Sequence, residues 1–210
     1  MYVDDAYELY QQLSSLNLLQ ESPPFWWPNY GSFEVVLGVI LTQNSQWHRV
    51  ECSLENLRSQ SLCTLESIQS CPIEMLCDAI RPSGLYNTKA QYMKALTLNI
   101  SREFGSFETF SNIVTREWLL QQQGIGKESA DAILCYACRR GEMVVDRYTH
   151  RLLVALGYEF ESYDALKEWC EQLHVNVDET QLPQVYAEFH GMIVEYMKQH
   201  ANRQNINIIF

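Results

Sequence analysis

The sequence predicts an all-α protein, and three observations carry the prediction. Apolar residues recur at helical spacing through most of the chain. Turn formers are scarce: 9 glycines and 6 prolines in 210 residues, where their usual combined share is about 12%. Period-two alternation is confined to the tail, Asn205–Phe210, too little for a sheet. A hydrophobic share of 47% against 20% charged residues supplies a real core and excludes a disordered or low-complexity chain.

Each element follows from a stripe and the breaks around it. Ser22-Pro-Pro24 and Trp27-Pro28-Asn29 interrupt the chain before the first stripe, Phe33, Val36, Leu37, Ile40 and Leu41. After the break at Arg81-Pro-Ser-Gly84, Met93, Leu96, Ile100 and Phe104 form a second. Thr115–Gln122 reads as a short helix, Gln123-Gly-Ile-Gly126 as a turn, and Lys127 as the start of a longer helix. That helix carries Ala130, Ile133, Leu134, Ala137 and Cys138 on one face. Beyond a break near Gly141, Asp146 serves as N-cap to a helix with Tyr148, Leu152 and Leu156 in line. Val185, Phe189, Met192, Ile193 and Tyr196 mark the last helix.

Several function classes fall away on composition. No apolar run reaches the roughly 18 residues of a membrane helix. Met1-Tyr-Val-Asp-Asp lacks the basic and apolar regions of a secretory leader, so a soluble, cytoplasmic protein without membrane partners is expected. The seven cysteines (52, 63, 71, 77, 135, 138 and 170) then read as reduced thiols. Cys135-x-x-Cys138 has no second CxxC to complete a metal site and is read as packed thiols. A net charge of −11 does not favour nucleic acid. Residues 116–151, however, hold six basic side chains against five acidic ones, which allows a local basic face.

Two features carry chemistry. Gly124-Ile125-Gly126 turns the chain between two helices, with Ile125 as an anchor packed between them. The unsatisfied amides after the turn, with Lys127 and the Ser129 hydroxyl, would hold one phosphate without reading sequence. An ordinary αα-corner explains the same residues. Asp146 follows Met143-Val-Val145 and is explained as an N-cap. A carboxylate held ionised by helix amides would also stabilise the cationic sugar formed when an N-glycosidic bond breaks.

Leu120-x-x-x-Gly124-Ile-Gly126-Lys-x-Ser-Ala130 followed by Val145-Asp146 resembles the helix-hairpin-helix (HhH-GPD) DNA glycosylases. Gly84-Leu-Tyr-Asn-x-Lys-Ala90 and Leu41-Thr-Gln-Asn44 are similar to segments of its endonuclease III-like branch. With Trp26-Trp27-Pro28, the pattern is closest to bacterial 3-methyladenine DNA glycosylases. The resemblance implies two helical lobes with a DNA-binding cleft: a barrel-like bundle over 31–140, and a second lobe from 1–30 plus 141–210. It implies Asp146 as the catalytic residue, Trp26, Trp27 and Trp47 as the base pocket, Gln43 and Asn44 as the lesion-probing loop, and Gly124, Ile125, Gly126, Lys127 and Ser129 as the phosphate-binding hairpin. Indole faces would grip a flat, cationic alkylated purine by stacking and cation–π attraction.

Departures from the family pattern narrow the chemistry. The position two after the second hairpin glycine, a lysine in bifunctional members, is Glu128, and Lys127 points about 100° away on a helix. Water is therefore the expected nucleophile, with no AP-lyase activity. The last 40 residues contain no cysteine, so no iron–sulfur cluster and no metal is expected. A monovalent cation at the hairpin is compatible with DNA binding. Relatives often carry lysine after the His-Gly of the last helix, where this chain has Met192. His190 itself reads as a packed or capping residue.

The expectation is a monomeric, monofunctional glycosylase releasing alkylated purines, chiefly 3-methyladenine, from duplex DNA in base excision repair. Three alternatives stay open: a glycosylase for a mispaired or oxidised base (for adenine mismatches Glu34 is the nearest acid), a non-catalytic DNA-binding hairpin module, and a helical small-molecule binder.

Overall fold

The structure, a computed structural model, describes residues 3–201 and 206–209, and helices are the only extended elements among them. Of the alternating tail, Asn205 and Phe210 lie outside the described residues, while Ile206 makes an isolated antiparallel bridge with Ala201. The chain divides into two compact units, one of residues 31–138 and one of residues 1–30 with 139–210.

The 31–138 unit is built around α2 (Phe33–Thr42), buried from Phe33 to Leu41. A helix apolar on every side has to be wrapped. α3 (Trp47–Ser59), α6 (Tyr86–Phe104) and α9 (Lys127–Ala132) pack against it. Its one charged residue, Glu34, is neutralised by a two-pronged ion pair with Arg58, at 2.6 and 2.9 Å. Glu34 thus has a structural partner and an explanation that needs no catalysis. α4 (Leu65–Ser70) and α5 (Ile73–Ile80) lean on α6, and a 3₁₀ turn, Arg81–Ser83, leads into it. α7 (Phe107–Ile113) and α8 (Arg116–Leu120) start at the caps Ser106 and Thr115, whose hydroxyls accept amides three residues on.

The longer helix expected from Lys127 forms with a change of winding. α9 passes at Ile133 into a π-helical segment, Ile133–Ala137, in which both Cys135 and Tyr136 are buried. Within this unit the Tyr136 carbonyl accepts the Gly31 amide at 2.7 Å. A wider turn frees main-chain groups for such outside partners.

The other unit joins α1 (Ala6–Ser15), α10 (Arg147–Ala155), α11 (Tyr163–Glu171) and α12 (Leu182–His200), with short 3₁₀ turns at Gln172–Asn176 and Glu179–Gln181. Its core interleaves Leu9 and Leu13 with Leu152, Leu153, Leu166, Phe189, Ile193 and Tyr196. Met192 belongs to this core, 5% exposed, with the Ser14 hydroxyl against its sulfur at 3.7 Å. No helix among the described residues is long and apolar enough to cross a membrane.

Candidate active site

Asp146 is the N-cap of α10 and sits in a capping box. Its Oδ1 accepts the Thr149 amide at 2.9 Å and the Thr149 hydroxyl at 3.1 Å, while that hydroxyl takes the Asp146 amide at 3.3 Å. Buried Met143-Val144-Val145 leads straight into it, so the carboxylate is placed by packing on one side and a helix start on the other. Oδ2 points toward His190 on α12, whose Nε2 is 3.7 Å away. Burial pushes the carboxyl up, but the imidazole and the Thr149 bonds outweigh it and hold Asp146 below its ordinary value.

His190 is only 4% exposed, and its ring meets the Trp26 indole edge to face at 5.2 Å. The next residue makes that approach feasible: a Cβ on Gly191 would sit inside the Trp26 side chain. Trp26 donates its indole N–H to Glu195 at 3.0 Å, and Glu195 also accepts Lys198 at 2.8 Å. One face of α12 thereby fixes the indole. Asp146, His190 and Trp26 form one constellation, and His190, read from sequence as a packed or capping residue, packs against the acid itself.

The loop bearing Trp26 is strained. Phe25, Trp26 and Asn29 all have left-handed backbones, with φ of 59°, 65° and 57°, and each bulky residue so placed costs on the order of 1–2 kcal/mol. Trp27 is 7% exposed and packs edge to face on Trp26 at 6.0 Å. It also lines a groove of about 570 Å³ with Phe25, Tyr30, Arg139 and Gln184, to which neither Asp146 nor Trp26 contributes.

In the other unit Ile125 is buried between α8 and α9, and an ion pair from Arg116 to the fully buried Asp131, at 2.6 Å, clamps the two helices. Arg116, counted above toward a basic face, is therefore committed to this pair. The two hairpin glycines differ. Gly124 has φ +80°, and a Cβ there would overlap the Tyr92 ring. Gly126 has φ −93° and open space around it, so the positive φ allowed for it is not used. Lys127 and Glu128 are exposed and Ser129 half-buried at the start of α9.

Gln43 and Asn44 part company. The Gln43 amide donates to the Gly124 carbonyl at 2.8 Å and to Ser129 Oγ at 3.1 Å, binding the loop to the hairpin. Asn44 is exposed and left-handed, φ 52°. Trp47 opens α3 in the same unit, half-buried.

Leu85, inside the Gly84–Ala90 segment, was not singled out from the sequence. It is the N-cap of α6 in a left-handed conformation, φ 48°, directly after Gly84 at φ 70°, and it is 62% exposed. An apolar residue directly after the Arg81-Pro-Ser-Gly84 break, where a polar cap is the usual choice, was the available signal. None of the seven cysteines forms a disulfide, and no grouping of metal-ligating side chains occurs among the described residues.

The HhH-GPD superfamily base excision DNA repair protein family matches residues 37–174. A Methanocaldococcus jannaschii relative is 37% identical over 189 residues, spanning 85% of this chain and 82% of that one. The Helicobacter pylori 3-methyladenine DNA glycosylase MagIII, bound to 1,N6-ethenoadenine, superposes with a TM-score of 0.88 at 46% identity, covering 93% of this chain and 98% of that one. An endonuclease III–DNA covalent intermediate shares the fold, with a TM-score of 0.74 at 16% identity over 94% of this chain and 87% of that one. The chain belongs to the HhH-GPD superfamily of base excision DNA repair proteins. It is a DNA glycosylase of that class.

Proposed function

We propose that the protein is a monofunctional glycosylase that hydrolyses the N-glycosidic bond of alkylated purines, 3-methyladenine foremost, in duplex DNA. The observation that carries this reading is the Asp146–His190–Trp26 constellation: a carboxylate held ionised beside an indole fixed by its own hydrogen bond. An extruded base carrying positive charge is attracted to an indole face. The Glu195 carboxylate on the indole N–H makes that face more negative. Departure of a cationic base needs little acid catalysis. The remaining demand is stabilisation of an oxocarbenium-like sugar and orientation of water, which Asp146 Oδ2 can meet while Oδ1 stays in the cap.

The other residues take supporting roles. Gly126, Lys127 and the Ser129 hydroxyl hold one DNA phosphate, and the open space at Gly126 suits a close approach. Leu85 acts as an apolar wedge at the opened base step, with Asn44 as its polar counterpart. Trp27, edge to face on Trp26, extends the aromatic surface offered to the base. Similarity to MagIII supports an alkylated-purine substrate. Glu128 in the hairpin helix offers no amine for a Schiff base.

The test is base release from methylated duplex DNA, resolved by chromatography. Wild type should liberate free 3-methyladenine, and Asp146→Asn should be slower by at least about a hundredfold. Borohydride should trap no covalent protein–DNA adduct; a trapped adduct refutes the monofunctional assignment. Equal activity in Asp146→Asn reduces this residue to a helix cap.

A further inference from the structure

One buried charged side chain of the 31–138 unit is left unused by the proposed chemistry. Lys89 lies on α6, 2% exposed, and its ammonium donates to two carbonyl oxygens, Leu41 at 2.8 Å and Ser83 at 2.9 Å. A buried ammonium without a carboxylate is disfavoured, and an aliphatic residue would fill the same space at lower cost. The two carbonyls explain its retention. Leu41 lies in the last turn of α2, where carbonyls lack intrahelical partners, and the loop with Gln43 and Asn44 follows at once. Ser83 closes the 3₁₀ turn that leads through Gly84 into Leu85.

Gln43 extends the chain of contacts. Its amide reaches the Gly124 carbonyl and Ser129. The hairpin, the 42–46 loop and the 83–85 turn are thus linked in series by one amide and one ammonium. None of the three is a regular helix interior: each has isolated turn hydrogen bonds, and the Ser83 amide also donates to Ser53 Oγ on α3 at 3.1 Å.

We propose that Lys89 is a positioning residue, clamping the loop after α2 to the Leu85 turn so that the DNA-interrogating side chains of this unit are presented in fixed register. The proposal rests on the glycosylase reading above for its functional consequence, though not for the clamp itself.

The clamp is sensitive to protonation. Burial alone pushes Lys89 down to about 8. The charged and titratable groups on the elements packed against α6 are Glu34 on α2, Glu66 on α4, Glu74, Cys77 and Asp78 on α5, Arg81 on the 3₁₀ turn and Glu108 on α7; α6 itself adds Tyr86, Tyr92, Lys94, Arg102 and Glu103. None of them contributes to the shift. Glu34 is paired with Arg58, and Arg81 with Asp78 and the Tyr86 ring. A neutral amine keeps two N–H donors, but its bonds lose the charge assistance that makes such contacts strong.

Lys89→Met preserves chain length and removes the donors, and Lys89→Gln restores neutral donors. At neutral pH, amide hydrogen exchange in Lys89→Met should quicken in residues 42–46 and 83–86 together, while the centres of α3 and α6 stay protected. Single-turnover base release should fall about ten- to a hundredfold, the scale expected when reacting groups are misplaced by about 1 Å. Thermal unfolding should shift little, because the gain from removing a buried charge is offset by leaving the Leu41 and Ser83 carbonyls without this donor. Wild type should lose rate severalfold as pH rises through about 8, the value to which burial brings this amine; Lys89→Met should lack that transition, and Lys89→Gln should recover part of the rate. Unchanged exchange in both segments, or an identical pH profile in wild type and Lys89→Met, overturns the proposal. Should Lys89→Met fail to fold, Lys89→Gln is judged by the same exchange and pH criteria. If wild type releases no base, the functional reading fails, and the exchange result still decides whether the clamp exists.

Discussion

At Asp146 folding and the proposed chemistry draw on one carboxylate. Oδ1 closes a capping box with Thr149, while Oδ2 faces His190. The cap gives a consequence independent of catalysis. The folded-state value of Asp146 is depressed, so the unfolded chain binds its proton more readily. The resulting stability is complete above the unfolded value, about pH 4 for an aspartate, and drains away as pH falls through the lower folded value. Wild type should therefore lose more thermal stability than Asp146→Asn on acidification below about pH 4. Parallel acid titrations of melting temperature check this, and parallel curves for the two proteins count against it. Asp146 was legible in the sequence because an acid after an apolar run is a strong N-cap signal. The part played by His190 was not, since the contact depends on how α12 packs on α10, and nothing local to residue 190 encodes that.

The elements show the same division between local and distant causes. Long stripes such as 33–41 and 185–196 announced their helices. Short helices such as α4 and α7 depend on caps and neighbours more than on periodicity, and were not read. The turn into π winding at Ile133 left no trace in the residue pattern either. At the hairpin, Gly-x-Gly looked symmetrical, yet only Gly124 is sterically obliged. Gly124→Ala must strain a left-handed backbone and displace Tyr92, so it should cost about 2–4 kcal/mol of stability in denaturant unfolding. Gly126→Ala meets open space and should stay within about 1 kcal/mol of wild type. A methyl facing the proposed phosphate should nonetheless weaken duplex affinity about tenfold, measured by fluorescence anisotropy. If Gly126→Ala binds DNA normally, that phosphate contact is wrong.

For the whole molecule, charge and chain path matter most. Eight basic and eleven acidic residues give the 31–138 unit a net −3, leaving −8 for the rest of the chain. The unit bearing the hairpin is thus the less acidic one, and DNA binding would rest on placed contacts more than on a broad attractive field. The path has a different effect. The 31–138 segment is spliced into a fold whose two pieces are separated by 108 residues, and its own two ends are stitched by the Gly31 amide on the Tyr136 carbonyl. Such a segment should mature as an autonomous module: excised, it should melt cooperatively, whereas residues 139–210 alone should not. Ribosomal synthesis then imposes an order, because α1 emerges first yet must wait for the whole insert before its packing partners exist.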